Sequence, residues 1–391
     1  MKIGVVVLEP LQSGGGFNQS LNAVLQLGRL CDGRFEIEVY CDCKESISFL
    51  KQLGLTARYL KFGWTDRLAL LASIYPFFGR IIRYFVQMGG FERVLTTDGV
   101  DLVYFTAPTF YAAALCRLNY ITTVWDLCHR DMPEFPEVRL NGTFETRELL
   151  YRSSLPKAIL TVTDSAELAK RVARRYGIDD ERILPMPFSP APFLVEAGIT
   201  NSGKSPISGD YFFYPAQFWP HKNHVRIFEA LSLLKDRMVE PRIAFCGKDY
   251  GNLGWVREQA GDLGVDDQVH FFGFVLPEEM NALYDNCLAV LMPTYFGPTN
   301  IPPLEAWLKG KPLIYSEHLQ GQVHDAAWLV DPDSAESLAR GIEAMLQLEI
   351  REEYARRGVR RLQEIISERN AAEKRLVDAV SCFESRRRLW K

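Results

Sequence analysis

The chain has 391 residues, too many for one small core and enough for two domains or three. Hydrophobic residues make up 47% and charged residues 24%, which excludes a disordered or collagen-like chain. The formal net charge is −4, so nothing global favours nucleic acid or an anionic membrane. The eight cysteines include no CxxC pair and no Cys/His spacing suited to zinc, so buried thiols in a reducing, cytoplasmic setting are expected.

In chain order, Ile3–Leu8 is an apolar run that meets Glu9 and Pro10. It is too short for a signal peptide and suits a buried strand. Gly14-Gly15-Gly16 and an amphipathic stretch from Asn18 to Leu30 follow, giving strand, glycine loop and helix. The longest uncharged apolar stretch, Leu68 to Gly79, contains Pro76 and is too short to span a bilayer. Across Arg67–Val86, arginines alternate with Phe77, Phe78, Ile81, Ile82, Tyr84 and Phe85. That pattern suits a helix on a membrane surface and, equally, an inner helix face. Glu36–Tyr40, Leu102–Phe105, Ile121–Val124 and Ile159–Val162 are further strand candidates, the last leading through Thr163-Asp164-Ser165 into a helix over Ala166–Tyr176 that Gly177 closes.

Residues 191–209 are rich in proline, serine and glycine and read as a linker. The alternation then restarts, with strands expected at Tyr211–Tyr214, Arg242–Cys246, Val269–Phe271, Ala289–Met292 and Pro312–Ile314. Helical patterns lie between them, among them His224–Lys235, Pro277–Asn286 and Pro303–Lys309. The expected architecture is α/β: Rossmann-like domains at 1–190 and 210–364 facing each other across a cleft. A charged helix at 365–391 is long enough to return to the first domain.

Several chemistries are excluded by motif. No GxGxxG follows the first strand, and no GxxxxGK[ST], GxSxG or HExxH occurs. Asp331-Pro332-Asp333 has the look of a metal-binding DxD but sits where a turn opens a helix, so no essential metal is expected. Three loops remain that suit a nucleotide diphosphate. Gly15 and Gly16 can bring bare amides to an anion at a helix start, although glycine loops after a first strand are common. The segment from Pro215 to His224 places Lys222 just after a strand, as a point charge for a diphosphate or as a solvated lysine. The run from Pro293 to Ala306 offers loop amides and a helix start with proline in its first turn. In it Glu305 either answers the helix dipole or accepts two ribose hydroxyls.

The order and spacing of these segments resemble the GT-B glycosyltransferases of the large retaining family 4. The resemblance spans nearly all of residues 1–350. Its carriers are Pro302-Pro303-Leu304-Glu305-Ala306, the Gln217–Lys222 loop, Val162-Thr163-Asp164-Ser165, Ile183-Leu184-Pro185-Met186-Pro187 and Val269–Val275. It implies a metal-independent enzyme without cofactor that moves a hexose from a nucleotide sugar to a glycan or lipid-linked acceptor in surface polysaccharide synthesis. By the same resemblance Glu305 binds the ribose, Lys222 the diphosphate, and the backbone near Phe274 and Val275 the base. Mannose from GDP-mannose is the expected donor, and no nucleic acid partner is implied.

Two positions depart from the family pattern. Gly297 stands where a first glutamate often contacts the donor sugar, and Gln217 where an arginine often flanks the diphosphate. The loop at Thr299, Asn300 and Ile301 is then expected to hold the sugar, with Gln217 remaining beside the donor. In the first domain, Asp126 and His129 follow a strand end, where α/β sites form. They are candidates for the transferred sugar or the acceptor hydroxyl, with a structural His129 as the other reading. A non-catalytic nucleotide-sugar-binding subunit and an epimerase are the competing functions. The expected location is cytoplasmic, peripheral on the inner face of the plasma membrane through residues 67–86.

Overall fold

A computed structural model describes residues 1–10, 14–31, 33–197, 207–297 and 300–390. The chain forms two compact units. Unit 1 comprises Met1–His129, Asn141–Pro187 and Glu368–Lys391, and unit 2 comprises Arg130–Leu140 and Phe188–Ser367.

Among the described residues, unit 1 holds seven parallel strands: β1 (Lys2–Val7), β2 (Glu36–Cys41), β3 (Ala57–Tyr59), β4 (Leu102–Phe105), β5 (Asn119–Val124), β6 (Leu160–Thr163) and β7 (Ile183–Pro185), in the order β3-β2-β1-β4-β5-β6-β7. The central strand β1 is buried from Ile3 to Val7, which explains its unbroken apolar run: helices cover both faces of a parallel sheet. Gly4 is needed there because a Cβ would lie 3.1 Å from a Val100 methyl. Gly15 and Gly16 are not loop residues. They form the first turn of the Gly15–Leu30 helix, and Gly14 supplies the turn with φ at 63°. Ser165 caps the Ala166–Tyr176 helix by accepting the Leu168 amide at 3.2 Å, and left-handed Gly177 ends it.

Among the described residues, unit 2 holds six parallel strands: β8 (Tyr211–Pro215), β9 (Arg242–Cys246), β10 (Val269–Gly273), β11 (Val290–Met292), β12 (Leu313–Ser316) and β13 (Trp328–Val330), in the order β10-β9-β8-β11-β12-β13. Much of the aromatic content lies in its core, where Tyr211, Phe212, Phe213, Tyr214, Phe228, Phe245, Tyr284, Trp307 and Tyr315 are fully buried. Each such ring contributes roughly 1.5–3 kcal/mol by leaving water. Of the expected linker, residues 198–206 lie outside the described residues; Pro192–Ala197 is a short helix that buries Leu194.

The charged tail is part of one 40-residue helix, Leu348–Arg387. Leu362 and Ile365 belong to the core of unit 2, and Ala372, Leu376, Val380 and Phe383 to a core cluster of unit 1. Near-four-residue spacing puts the second set on one helix face. In unit 1 the Glu373 carboxylate accepts Gln26 Nε2 at 2.8 Å and Arg29 at 2.6 Å.

Candidate functional site

In both sheets the strand order reverses once beside the first strand, between β1 and β4 in unit 1 and between β8 and β11 in unit 2. Loops leave the carboxyl ends of adjacent strands in opposite directions there, which opens a crevice where ligands bind.

At the β8–β11 reversal the two expected loops meet. The carbonyl of His221 accepts the Tyr295 amide at 2.9 Å and the Thr294 hydroxyl at 3.3 Å. The His221 ring stacks on Phe296, with centroids 4.2 Å apart and planes at 18°. Lys222 closes a single 3-10 turn at Pro220–Lys222, its amide bonded to the Trp219 carbonyl and its own carbonyl accepting the Tyr214 hydroxyl at 2.7 Å. Asn223 follows in the left-handed conformation and anchors the turn, donating to the carbonyls of Pro293 at 3.1 Å and Pro332 at 2.8 Å. The half-buried Lys222 is thus fixed at the strand ends by its backbone.

Two residues expected to contact the donor are committed elsewhere. Gln217 Oε1 accepts the Trp219 indole N–H at 3.0 Å, and that indole stacks on Tyr250. Asn300 does not present its amide to a sugar: Nδ2 donates to the Tyr315 hydroxyl at 2.6 Å and the Phe296 carbonyl at 3.2 Å. Gln322 clamps the Asn300 backbone on both sides, accepting its N–H at 2.9 Å and donating to its carbonyl at 2.6 Å. Asn300 is therefore a brace for the loop. Thr299 lies outside the described residues, and Ile301 opens the Ile301–Leu308 helix.

Glu305 sits in that helix, 8% exposed. Its carboxylate accepts the Tyr284 hydroxyl at 2.6 Å and the Ala191 amide at 3.3 Å. Burial raises its pKa, and these two donors oppose the rise without cancelling it. Glu305 thus ties the Ala191 amide, at the start of the Pro192–Ala197 segment, and the Tyr284 hydroxyl to its helix. Past β10, Phe274 is exposed and Val275 is packed in the core, so only its backbone can meet a ligand. Asp331-Pro332-Asp333 is a turn: the Asp333 amide bonds to Asp331 Oδ1, and Ser334 caps the next helix.

Unit 1 differs. A Cβ on Gly16 would meet the Trp125 ring at 3.2 Å and the Glu9 carboxylate at 3.3 Å, so the helix start is closely covered. Asp126 Oδ1 accepts the Cys128 amide at 2.9 Å and pairs with Arg147. Burial pushes its pKa up, yet Arg147 and the amide outweigh burial and hold it below the usual range. His129 is not at a site at all. It is fully buried, its Nε2 lies 3.0 Å from Glu148 Oε1, and Phe144 and Tyr151 pack on the ring. Burial lowers its pKa, with Arg147 adding to the effect. The structural reading of His129 replaces the catalytic one.

Residues 64–85 form two helices, Trp64–Ile74 and Pro76–Phe85. They cross where Gly79 meets the Ala72 carbonyl, closely enough that a Cβ would lie 2.2 Å from it. The carboxylate of buried Asp66 accepts the Gly63 and Phe91 amides and ties the first helix down. Phe77 is 83% and Tyr84 81% exposed, and Trp64, Ile81, Phe85, Arg67, Arg80 and Arg83 are exposed as well. An inner helix face is therefore ruled out for these residues; the side chain of Phe78 lies outside the described ones. Among the described residues no helix is long and apolar enough to cross a membrane, and no three His, Cys, Asp or Glu cluster as metal ligands.

One contributor escaped the motif reading. The excursion Arg130–Leu140, part of unit 2, wedges Phe135 against Tyr295 and Phe296 and brings Glu137 to His221. Its only sequence signal is Pro136 opening the short Pro136–Arg139 turn.

Two parallel-sheet α/β units with these loops at a switch point give the GT-B fold. Residues 200–361 match the model of glycosyl transferases group 1. The chain is 25% identical over 204 residues to the O-antigen chain mannosyltransferase RfbU of Salmonella typhimurium, covering 51% of this chain and 54% of the relative. It is 26% identical over 271 residues to O-antigen chain mannosyltransferase B of Escherichia coli, covering 64% of this chain and 66% of the relative. The matches thus span between about half and two thirds of these relatives' length. Among solved structures, a glycosyltransferase from Rickettsia africae superposes with a TM-score of 0.69 at 14% identity, over 96% of this chain and 97% of the other. Anabaena HepE in complex with UDP and glucose superposes with a TM-score of 0.68 at 15% identity, over 97% and 100%. These structural likenesses carry the fold alone.

Proposed function

We propose that this chain is a retaining glycosyltransferase that moves a hexose from a nucleotide diphosphate sugar to a glycan or lipid-linked acceptor in surface polysaccharide synthesis. The observation that carries the reading is the meeting of the Lys222 turn and the 293–301 loop at the β8–β11 strand ends, inside the segment that matches glycosyl transferases group 1. Mannose is the proposed hexose, with GDP-mannose as donor, because both relatives are named as mannosyltransferases.

The chemistry asked of this site is charge neutralisation. As the anomeric bond breaks, one further negative charge develops on the leaving diphosphate, which already carries one on each phosphate. The Lys222 ammonium, loop amides and the Ile301–Leu308 helix start stabilise that charge more than the ground state. Glu305 accepts from the ribose, and the diphosphate takes the acceptor proton on the face it leaves, which preserves configuration. No cofactor or metal enters this scheme.

The exposed aromatic and arginine surface of residues 64–85 suits the headgroup region of an anionic leaflet, where rings sit in the interface and arginines meet phosphate. This supports a position on the cytoplasmic side of the plasma membrane, at a lipid-linked acceptor.

The test is nucleoside diphosphate release from a panel of nucleotide sugars, with and without lipid-linked oligosaccharide acceptors. Acceptor-dependent release that is lost in Lys222→Ala and Glu305→Ala supports transfer. Nucleotide binding without release for every pair would make the chain a binding subunit, and epimerised sugar recovered without acceptor would make it an epimerase.

A further inference from the structure

Unit 2 contains a buried carboxylate–imidazole pair that no motif accounts for. Glu137, in the excursion Arg130–Leu140, directs Oε1 at His221: it accepts the His221 backbone N–H at 3.1 Å and is hydrogen-bonded to Nδ1. The carboxylate is only 8% exposed, and its Oε2 has no hydrogen-bond partner among the described residues. Burial alone would raise the Glu137 pKa, but the His221 hydrogen bond and charge outweigh it and lower the carboxyl. A buried ionised carboxylate with one partner needs a positive charge beside it, and the imidazole is placed to supply it.

The pair sits where that charge is of use. His221 is adjacent to Lys222, its carbonyl ties the β8 loop to the β11 loop, and its ring is held flat on Phe296, next to Gly297. We infer that Glu137 holds His221 as an imidazolium that acts with Lys222 as the second cation of the diphosphate site, in place of the charge absent at Gln217. The inference rests on the proposed nucleotide-sugar reading of this site. It makes His221 a ligand-contacting residue and Glu137 a positioning residue. The charged and titratable groups around the ring are Glu137 from the Pro136–Arg139 turn, Lys222 and the buried His224 on the chain that follows it, and Tyr295, whose hydroxyl is bonded to Asp333. His224 is pushed down to about 3 by burial and by the charges of Lys222 and His221, so it stays neutral and does not compete for the proton.

The experiment is calorimetric titration of the full chain with GDP and with UDP, each against its monophosphate, across pH from about 6 to about 8.5, the range in which histidine titrates. In the wild type, diphosphate affinity is expected to fall toward high pH by about tenfold, with monophosphate affinity falling less. In Glu137→Gln that fall moves to lower pH, and in His221→Asn it disappears, with diphosphate affinity low at every pH. Glu137→Asp restores the wild-type profile in part, which a merely structural contact would not do. Far-UV circular dichroism checks that each variant is folded, and should Glu137→Gln fail to fold, His221→Asn and the wild-type profile carry the test. Wild-type diphosphate affinity and pH profile in His221→Asn, with binding lost in Lys222→Ala, would overturn the imidazolium and leave the nucleotide site standing. Absence of any nucleotide binding by the wild type would overturn both.

Discussion

The strand ends of the two units follow the same topological rule but carry different ionisable groups. In unit 1, beside β5, every conspicuous group has an internal partner: Asp126 has Arg147 and the Cys128 amide, and His129 has Glu148, which Tyr176 and Arg152 also bond. In unit 2, neutral side chains hold the main chain of the loops: the Tyr214 hydroxyl donates to the Lys222 carbonyl, Asn223 Nδ2 to the Pro293 carbonyl, and Gln322 Oε1 accepts the Asn300 amide. A switch point therefore provides a place for a ligand but not the chemistry. The chemistry depends on which residue types the loops bring there and whether ion pairs or neutral side chains hold them.

That contrast can be broken at either end. The largest effect is expected from Lys222→Ala, which removes the leaving-group cation and lowers the rate of nucleoside diphosphate release by roughly a hundredfold at saturating donor. His129→Ala should instead act on stability. It deletes a buried ring and one partner of Glu148 while Tyr176 and Arg152 remain, so denaturant unfolding should show a loss of about 2 kcal/mol with kcat per folded molecule unchanged.

Glu305→Gln is expected to raise KM for the donor about tenfold with little change in kcat, because a ribose contact is made equally in ground and transition states. His224 gives a pH test. Its pKa is depressed from 6.5 to about 3 on folding, so its contribution is complete above the unfolded value and is lost as pH falls toward the folded one. Stability should decline by about 1.4 kcal/mol for each pH unit below roughly 6, and His224→Phe, fitting between Phe218 and Tyr214, should flatten that slope in thermal melts. The smallest effect belongs to the surface of unit 1. Arg80→Ser should weaken sedimentation with phosphatidylglycerol vesicles by about fivefold and leave binding to phosphatidylcholine vesicles unchanged.

Where a physical signal was strong, the sequence reading and the structure coincide. Buried parallel strands are continuous apolar runs, and the Ala166–Tyr176 helix announces both of its ends, with Ser165 as cap and Gly177 as stop. The strand β3 was not read because Ala57-Arg58-Tyr59 is short and half exposed, and β7 because Ile183–Pro185 ends on a proline. At the site, the position of Lys222 after β8 was readable from strand–loop–helix order. The burial of His129 and the commitment of Asn300 were not, because both depend on partners distant in sequence, Glu148 and Tyr176 for one and Tyr315 and Gln322 for the other. Glu137 carries no local signal. It matters only because an excursion from the first half of the chain belongs to unit 2.

The long Leu348–Arg387 helix reverses the order of synthesis and the order of completion. Strand β1 emerges first, yet the cluster around Phe17, Leu21 and Val24 lacks Leu376, Val380 and Phe383 until every strand of unit 2 has been made. While unit 2 is being translated, unit 1 carries an uncovered apolar stripe that only its own distant continuation can close. Shortening the chain within residues 372–383 would therefore show up as aggregation of the first-made unit, although every strand of both sheets would still be encoded.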